Sequence, residues 1–189
     1  MIAGSQVSKL ALASLVVLIC SGCAGVGDGK TTIKPSPMSS FSKDANAEEG
    51  TRNNPIPLGK SVVVNNWEVM VTSVNKDALE EVKKSDVYGS APAANEQYLL
   101  LNVKATYIGE ESGEPGSDLG FKIVGSSGNT FSKSCGFTSD TFGQNGETFP
   151  GATVRGNFCF TVDVNQITGA TVSIQGDYST EDRKFVSID

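Results

Sequence analysis

Tyr98-Leu99-Leu100-Leu101-Asn102-Val103-Lys104-Ala105-Thr106-Tyr107-Ile108 decides the fold. In an extended chain Leu99, Leu101, Val103, Ala105 and Tyr107 fall on one side, and Asn102, Lys104 and Thr106 on the other. Successive strand side chains point to opposite faces, so this alternation predicts a half-buried β-strand and not a helix. The same period recurs on both sides of it. Trp67, Val69 and Val71 share a face, Phe121 and Ile123 continue the theme, and Val154, Gly156, Phe158, Phe160 and Val162 form another inward row. Ser126-Ser127-Gly128-Asn129 is turn chemistry leading into Thr130 and Phe131, and short strands over 172–174 and 184–188 close the chain. Only 77–84, where Glu80 precedes Lys84 by four residues, suggests a helical turn or two.

Seven or eight strands separated by turn signals predict an all-β fold, a two-sheet antiparallel β-sandwich occupying 55–189 as one domain. A body of this size buries enough apolar surface for a single core. No internal repeat points to a propeller or solenoid.

The N-terminal third reads differently. Lys9 precedes an apolar run from Leu10 to Ile19, and Cys20-Ser21-Gly22-Cys23 follows as a small-residue cleavage site. This predicts a lipoprotein signal peptide over 1–22 with the lipid on Cys23. The apolar run is too short to span a bilayer, which needs about 20 residues. Cys20 and Cys23 have C-x-x-C spacing, but no second pair and no His exist to complete a metal site. Each buried methylene contributes about 0.8 kcal/mol, so two or more acyl chains, palmitate-like, hold durably. Residues 23–54 are rich in Gly, Ser, Thr, Pro, Asn and charge, which predicts a flexible linker reaching on the order of 30 Å. The expected location is the extracytoplasmic face of the cell membrane.

Composition closes several chemistries. The chain carries a formal charge of -6, and removing 1–22 takes away one lysine, Lys9, leaving -7. Without clustered Lys and Arg, nucleic acid is not an expected partner; the acidity suits a soluble monomer. There is no His, so Ser-His and Cys-His nucleophiles and His-bound zinc are excluded. No glycine-rich phosphate loop occurs. The reading is therefore not an enzyme, with no catalytic residue, metal or cofactor expected. The alternative, a carboxylate enzyme of the glycan hydrolase type, requires two acids facing one another across a cleft. Glu80-Glu81 and Glu110-Glu111 suit this poorly, because adjacent side chains diverge on strands and helices alike.

Cys135 and Cys159 remain once Cys23 is modified, and in an exported domain such a pair predicts a disulfide worth about 3 kcal/mol. Cys159 alternates with Phe158 and Phe160, placing the bridge on the outside of its sheet. Antibody domains bury theirs between sheets against a Trp lying between the cysteines; here Trp67 precedes both. Phe137, Phe142 and Phe149 interrupt an otherwise polar loop and are the candidate contact patch for an envelope or extracellular protein, or a small ligand. Their alternative role is to seal one end of the sandwich. Glu110, Glu111, Glu114 and Asp118 crowd another loop; the calcium alternative, a calcium-stabilised secreted antigen, lacks the ordered ligand spacing of a known calcium loop.

Asn54-Pro55-Ile56-Pro57-Leu58-Gly59, the strand Asn66-Trp67-Glu68-Val69, the long strand from Gln97 to Tyr107, and Phe149-Pro150-Gly151 followed by Gly156 and Phe160 resemble bacterial lipoproteins of domain-of-unknown-function family 4352. The resemblance covers about 51–189 together with the lipobox and linker. That family is similar to the immunoglobulin-like superfamily that contains an immunoprotective extracellular antigen. The resemblance implies an immunoglobulin-like sandwich at the cell envelope and implies no catalytic residues. Cys20 departs from the apolar residue usual at its place in the lipobox.

Overall fold

The computed structural model describes residues 48–86, 88–176 and 179–189. Alternating sequence becomes eight strands: β1 (Val62–Val64), β2 (Trp67–Asn75), β3 (Glu96–Tyr107), β4 (Leu119–Val124), β5 (Thr130–Phe131), β6 (Thr153–Asp163), β7 (Thr171–Gly176) and β8 (Lys184–Ser187). Two four-stranded sheets result, with orders β1-β2-β3-β6 and β5-β4-β7-β8, every pairing antiparallel. Setting β1 aside, β2-β3-β6 facing β5-β4-β7-β8 is the immunoglobulin arrangement A-B-E against C′-C-F-G. The fold is an immunoglobulin-like antiparallel β-sandwich with an added N-terminal hairpin strand. That hairpin turns on Asn65 and Asn66, both at positive φ (44° and 61°), as a two-residue type I′ turn requires.

The core follows the period-two reading. Leu99, Leu101, Val103, Ala105 and Tyr107 of β3 join Trp67, Val69 and Val71 of β2, Phe160 and Val162 of β6, and Phe121, Ile123, Val172, Ile174 and Val186 of the opposing sheet in one cluster. Trp67 packs on Tyr107 with ring centroids 4.9 Å apart. Its indole N–H donates to Asp118 Oδ2 at 3.0 Å, so the polar end of a fully buried ring is satisfied. Asp118 is delivered by a single helical turn, α2 (Pro115–Asp118), opened by proline at its first position.

A second, smaller cluster lies on the outer face of β3 and β6. Ala78, Val82, Tyr98, Leu100, Cys135 and Cys159 are buried there beneath helix α1 (Leu79–Ser85). The helix falls where 77–84 was expected, but its ion pair is Glu80 with Lys83 at 3.3 Å, three residues apart and not four.

Two sheet edges are covered by non-strand backbone. Along β6, Thr161 N–H donates to Lys133 O, Cys135 N–H to Cys159 O, and Asn157 N–H to Asp140 O. Along β8, Phe185 N–H donates to Gly50 O, Ile56 N–H to Phe185 O, and Ser187 N–H to Ile56 O. Gly50, on the far side of the expected boundary at 54, pairs with β8 through its main chain, and its N–H donates to Asn54 O to close the turn between them.

Candidate functional site

The signal segment 1–22, the lipid-bearing Cys23 and the linker through residue 47 lie outside the described residues. What the structure places is the disulfide and the loop it ties. Cys135 and Cys159 are bridged, with Cα atoms 5.4 Å apart and 24 positions apart in sequence. The bond sits outside its sheet, as the alternation of Cys159 with Phe158 and Phe160 requires, and both sulfurs are buried under α1. Beyond it the chain is held at several points. Asp86 Oδ2 accepts from the Phe137 N–H at 3.3 Å, and the Thr138 hydroxyl donates to Asn157 Oδ1.

The three phenylalanines do not form one patch. Phe137 is 73% exposed and Phe149 60% exposed, but Phe142 is 0% exposed. Phe142 lies in the core, with ring centroids 5.8 Å from Phe121 and 5.3 Å from Phe158. Its place is made by Gly156, where an added Cβ would stand 2.5 Å from Phe142 Cα. A glycine in an otherwise bulky inward row leaves a hole, and the loop folds back to fill it. Phe142 is thus a sealing residue and not a contact residue.

Phe137 and Phe149 are also far apart. Phe137 follows Cys135, which pairs with Cys159, while Phe149 sits beside Ala152 at the other end of β6. At 3.3 Å per residue, that stretch of strand separates them by about 20 Å. Phe149 shares its end with Ile108, also exposed. Phe137 instead borders a cavity of about 470 Å³ lined by Asp86, Glu96, Tyr98, Lys133, Cys135 and Gly136, among others. Tyr88, almost wholly exposed and two residues from Asp86, presents a second aromatic ring that sequence reasoning passed over. A lone tyrosine in a polar stretch gives no periodic signal.

The carboxylates of the region are engaged separately. Glu96 pairs with Lys133 at 3.5 Å, Glu81 accepts from Asn75 Nδ2 at 3.0 Å, and Asp118 accepts from Trp67 and from the Glu114 N–H at 2.9 Å. Among the described residues no group of three or more Cys, Asp and Glu is placed to hold a metal ion. No helix among them is long and apolar enough to cross a membrane. Asp189 accepts from Lys76 and from the Gly169 N–H. Burial works against its ionisation, but the hydrogen bond from Lys76, the Gly169 N–H and the Lys76 charge outweigh that and hold it below its ordinary range.

No family model and no curated protein matches the chain. Among solved structures it is similar to the yjhA protein of Bacillus subtilis, at 14% identity and a TM-score of 0.49 over 71% of this chain and 99% of that one. It is similar also to a candidate lipoprotein of the same organism, ycdA, at 15% identity and 0.48, over 68% of this chain and 38% of that one. An uncharacterized β-sandwich protein from Clostridium difficile is similar at 10% identity and 0.42, over 77% of this chain and all of that one. The sandwich is read from the strand order of this chain, and these likenesses add no function.

Proposed function

We propose that this protein is a lipid-anchored, extracytoplasmic binding module of the bacterial cell envelope: monomeric, not catalytic, held to the membrane through Cys23, and working by contact with an envelope or extracellular partner. The resemblance to family 4352 lipoproteins belongs to this reading. The observation that carries it is Phe137, a large apolar ring exposed on a loop that a disulfide and Asp86 hold rigid. An exposed aromatic held on a rigid support contributes contact area at little entropic cost. A disulfide also belongs to oxidising compartments, in keeping with export.

The test has two arms in cells producing the full chain. Metabolic labelling with a palmitate analogue should mark the wild type, and Cys23→Ser should abolish the label and release the protein from the membrane fraction. Cross-linking followed by mass spectrometry should recover a partner that Phe137→Ser loses while Phe149→Ser keeps it. A Cys23→Ser protein that stays labelled and membrane-bound sinks the anchor. Identical cross-links in wild type and Phe137→Ser sink the contact surface.

A further inference from the structure

The outer face of the first sheet carries an arrangement that the binding reading above does not use. The register of β3 on β6 sets Lys104 directly opposite Arg155, and Asn102 opposite Asn157. Like charges directly across a ladder repel. A counter-ion would relieve this, yet the five ion pairs among the described residues use Lys60, Lys76, Lys83, Lys133 and Lys184, and neither Lys104 nor Arg155.

Beside them is a depression of about 390 Å³ lined by Thr72, Asn102, Asp140, Arg155, Gly156 and Asn157, together with Val103. Asn157 is only 7% exposed. Its Oδ1 accepts the Thr138 hydroxyl, which fixes the amide with its nitrogen elsewhere, and that Nδ2 has no hydrogen-bond partner among the described residues. That nitrogen reaches solvent, so it is free to donate to a group bound there.

We propose that this face is an oxyanion site, in which the guanidinium of Arg155, the ammonium of Lys104 and Nδ2 of Asn157 receive the carboxylate or phosphate of a small ligand. The planar fork of Arg suits either group, since both offer two coplanar oxygens. The volume falls in the range of small-molecule sites. Asp140 on the lining, and Glu68 one rung beyond Lys104 on the same face, add negative charge nearby without pairing with either cation. The site therefore suits a small, singly charged, hydroxylated molecule, whose hydroxyls Asp140 can accept, better than an extended polyanion. It lies on three paired strands, so no rearrangement is needed to form it.

The experiment is an amide-shift titration of the full chain in non-ionic detergent at low salt, with sodium glucuronate, inorganic phosphate and glucose as separate probes. Glucuronate or phosphate should shift the amides of 102–104 and 155–157 in a saturable manner, glucose should not, and Lys104→Gln with Arg155→Gln should weaken the response by about tenfold or more. Lys122→Gln, a cation on the other sheet, should leave it unchanged. A response to glucuronate alone marks a carboxylate ligand, and one to phosphate alone a phosphate ligand. No shift at about 50 mM of either oxyanion, an equal response to glucose, or an unaltered response in the double variant overturns the site. Should the double variant fold poorly, the wild-type contrast between glucuronate, phosphate and glucose decides alone.

Discussion

The two apolar clusters of this protein are built on opposite faces of the same strand and are held in different ways. Between the sheets, Leu99, Leu101, Val103 and Ala105 meet partners from seven strands, and that cluster is closed by area alone. Outside the sheet, Tyr98 and Leu100 meet only a seven-residue helix and a loop, and there a covalent bond stands in for missing apolar surface. The contrast shows where a disulfide is useful in a domain large enough not to need one: it fixes a thin outer layer to a core that is already stable. The single Trp, Trp67, reports on the inner cluster, and amide exchange over 79–85 reports on the outer one.

The largest effect is expected inside. Leu101→Ala should cost about 2–5 kcal/mol, seen as a lower denaturation midpoint by Trp67 fluorescence. Removing the bond with Cys135→Ala and Cys159→Ala together should cost about 3 kcal/mol, the value for closing a loop of this length. The native Trp67 emission should survive while exchange over 79–85 accelerates. Smaller again, Val82→Ala removes two methyl groups from the outer cluster and should cost about 1.5 kcal/mol, confined to that exchange window. If Val82→Ala moves the Trp67 transition as far as Leu101→Ala does, the two clusters form one cooperative unit and the contrast fails.

The smallest effect concerns Asp189, which takes Lys76, at the approach to the outer cluster, and the Gly169 N–H of the opposite sheet's approach. Its pKa is depressed in the folded state, so its contribution is present above the ordinary value of 3.8 and is lost as pH falls through the lower folded value. Asp189→Asn should cost less than about 1 kcal/mol at neutral pH, because the pair is largely solvated. The difference from wild type should narrow as the pH falls below 3.8, measured by denaturant titration at several pH values.

The inner cluster was legible because its signal is local: alternation over a dozen residues assigns a face to each side chain. The outer cluster was half legible. The alternation of Cys159 put the disulfide outside, but Tyr98-Leu99-Leu100-Leu101, apolar on both faces, also announces a strand covered twice, and a half-buried reading passes over this. For Phe142 the sealing alternative holds and the contact patch does not; what sets it apart from Phe137 and Phe149 is a gap at Gly156, fourteen residues on, that only packing reveals. The opposition of Lys104 and Arg155 was not readable at all. It depends on which strand β3 takes as its neighbour and in what register, and one sequence fixes neither. Gly50 escaped for another reason: it joins β8 by a main-chain hydrogen bond, which leaves no trace in composition.

The covered edges bear on how copies of this molecule behave when crowded. With backbone from 133–140 lying along β6 and from 50–56 along β8, the edge strands left at the other margins are β1, of three residues, and β5, of two. A template that short offers too few free main-chain groups to recruit a neighbouring chain. Molecules displayed densely side by side should therefore resist zipping into shared sheets, and any association between them must be made by side chains.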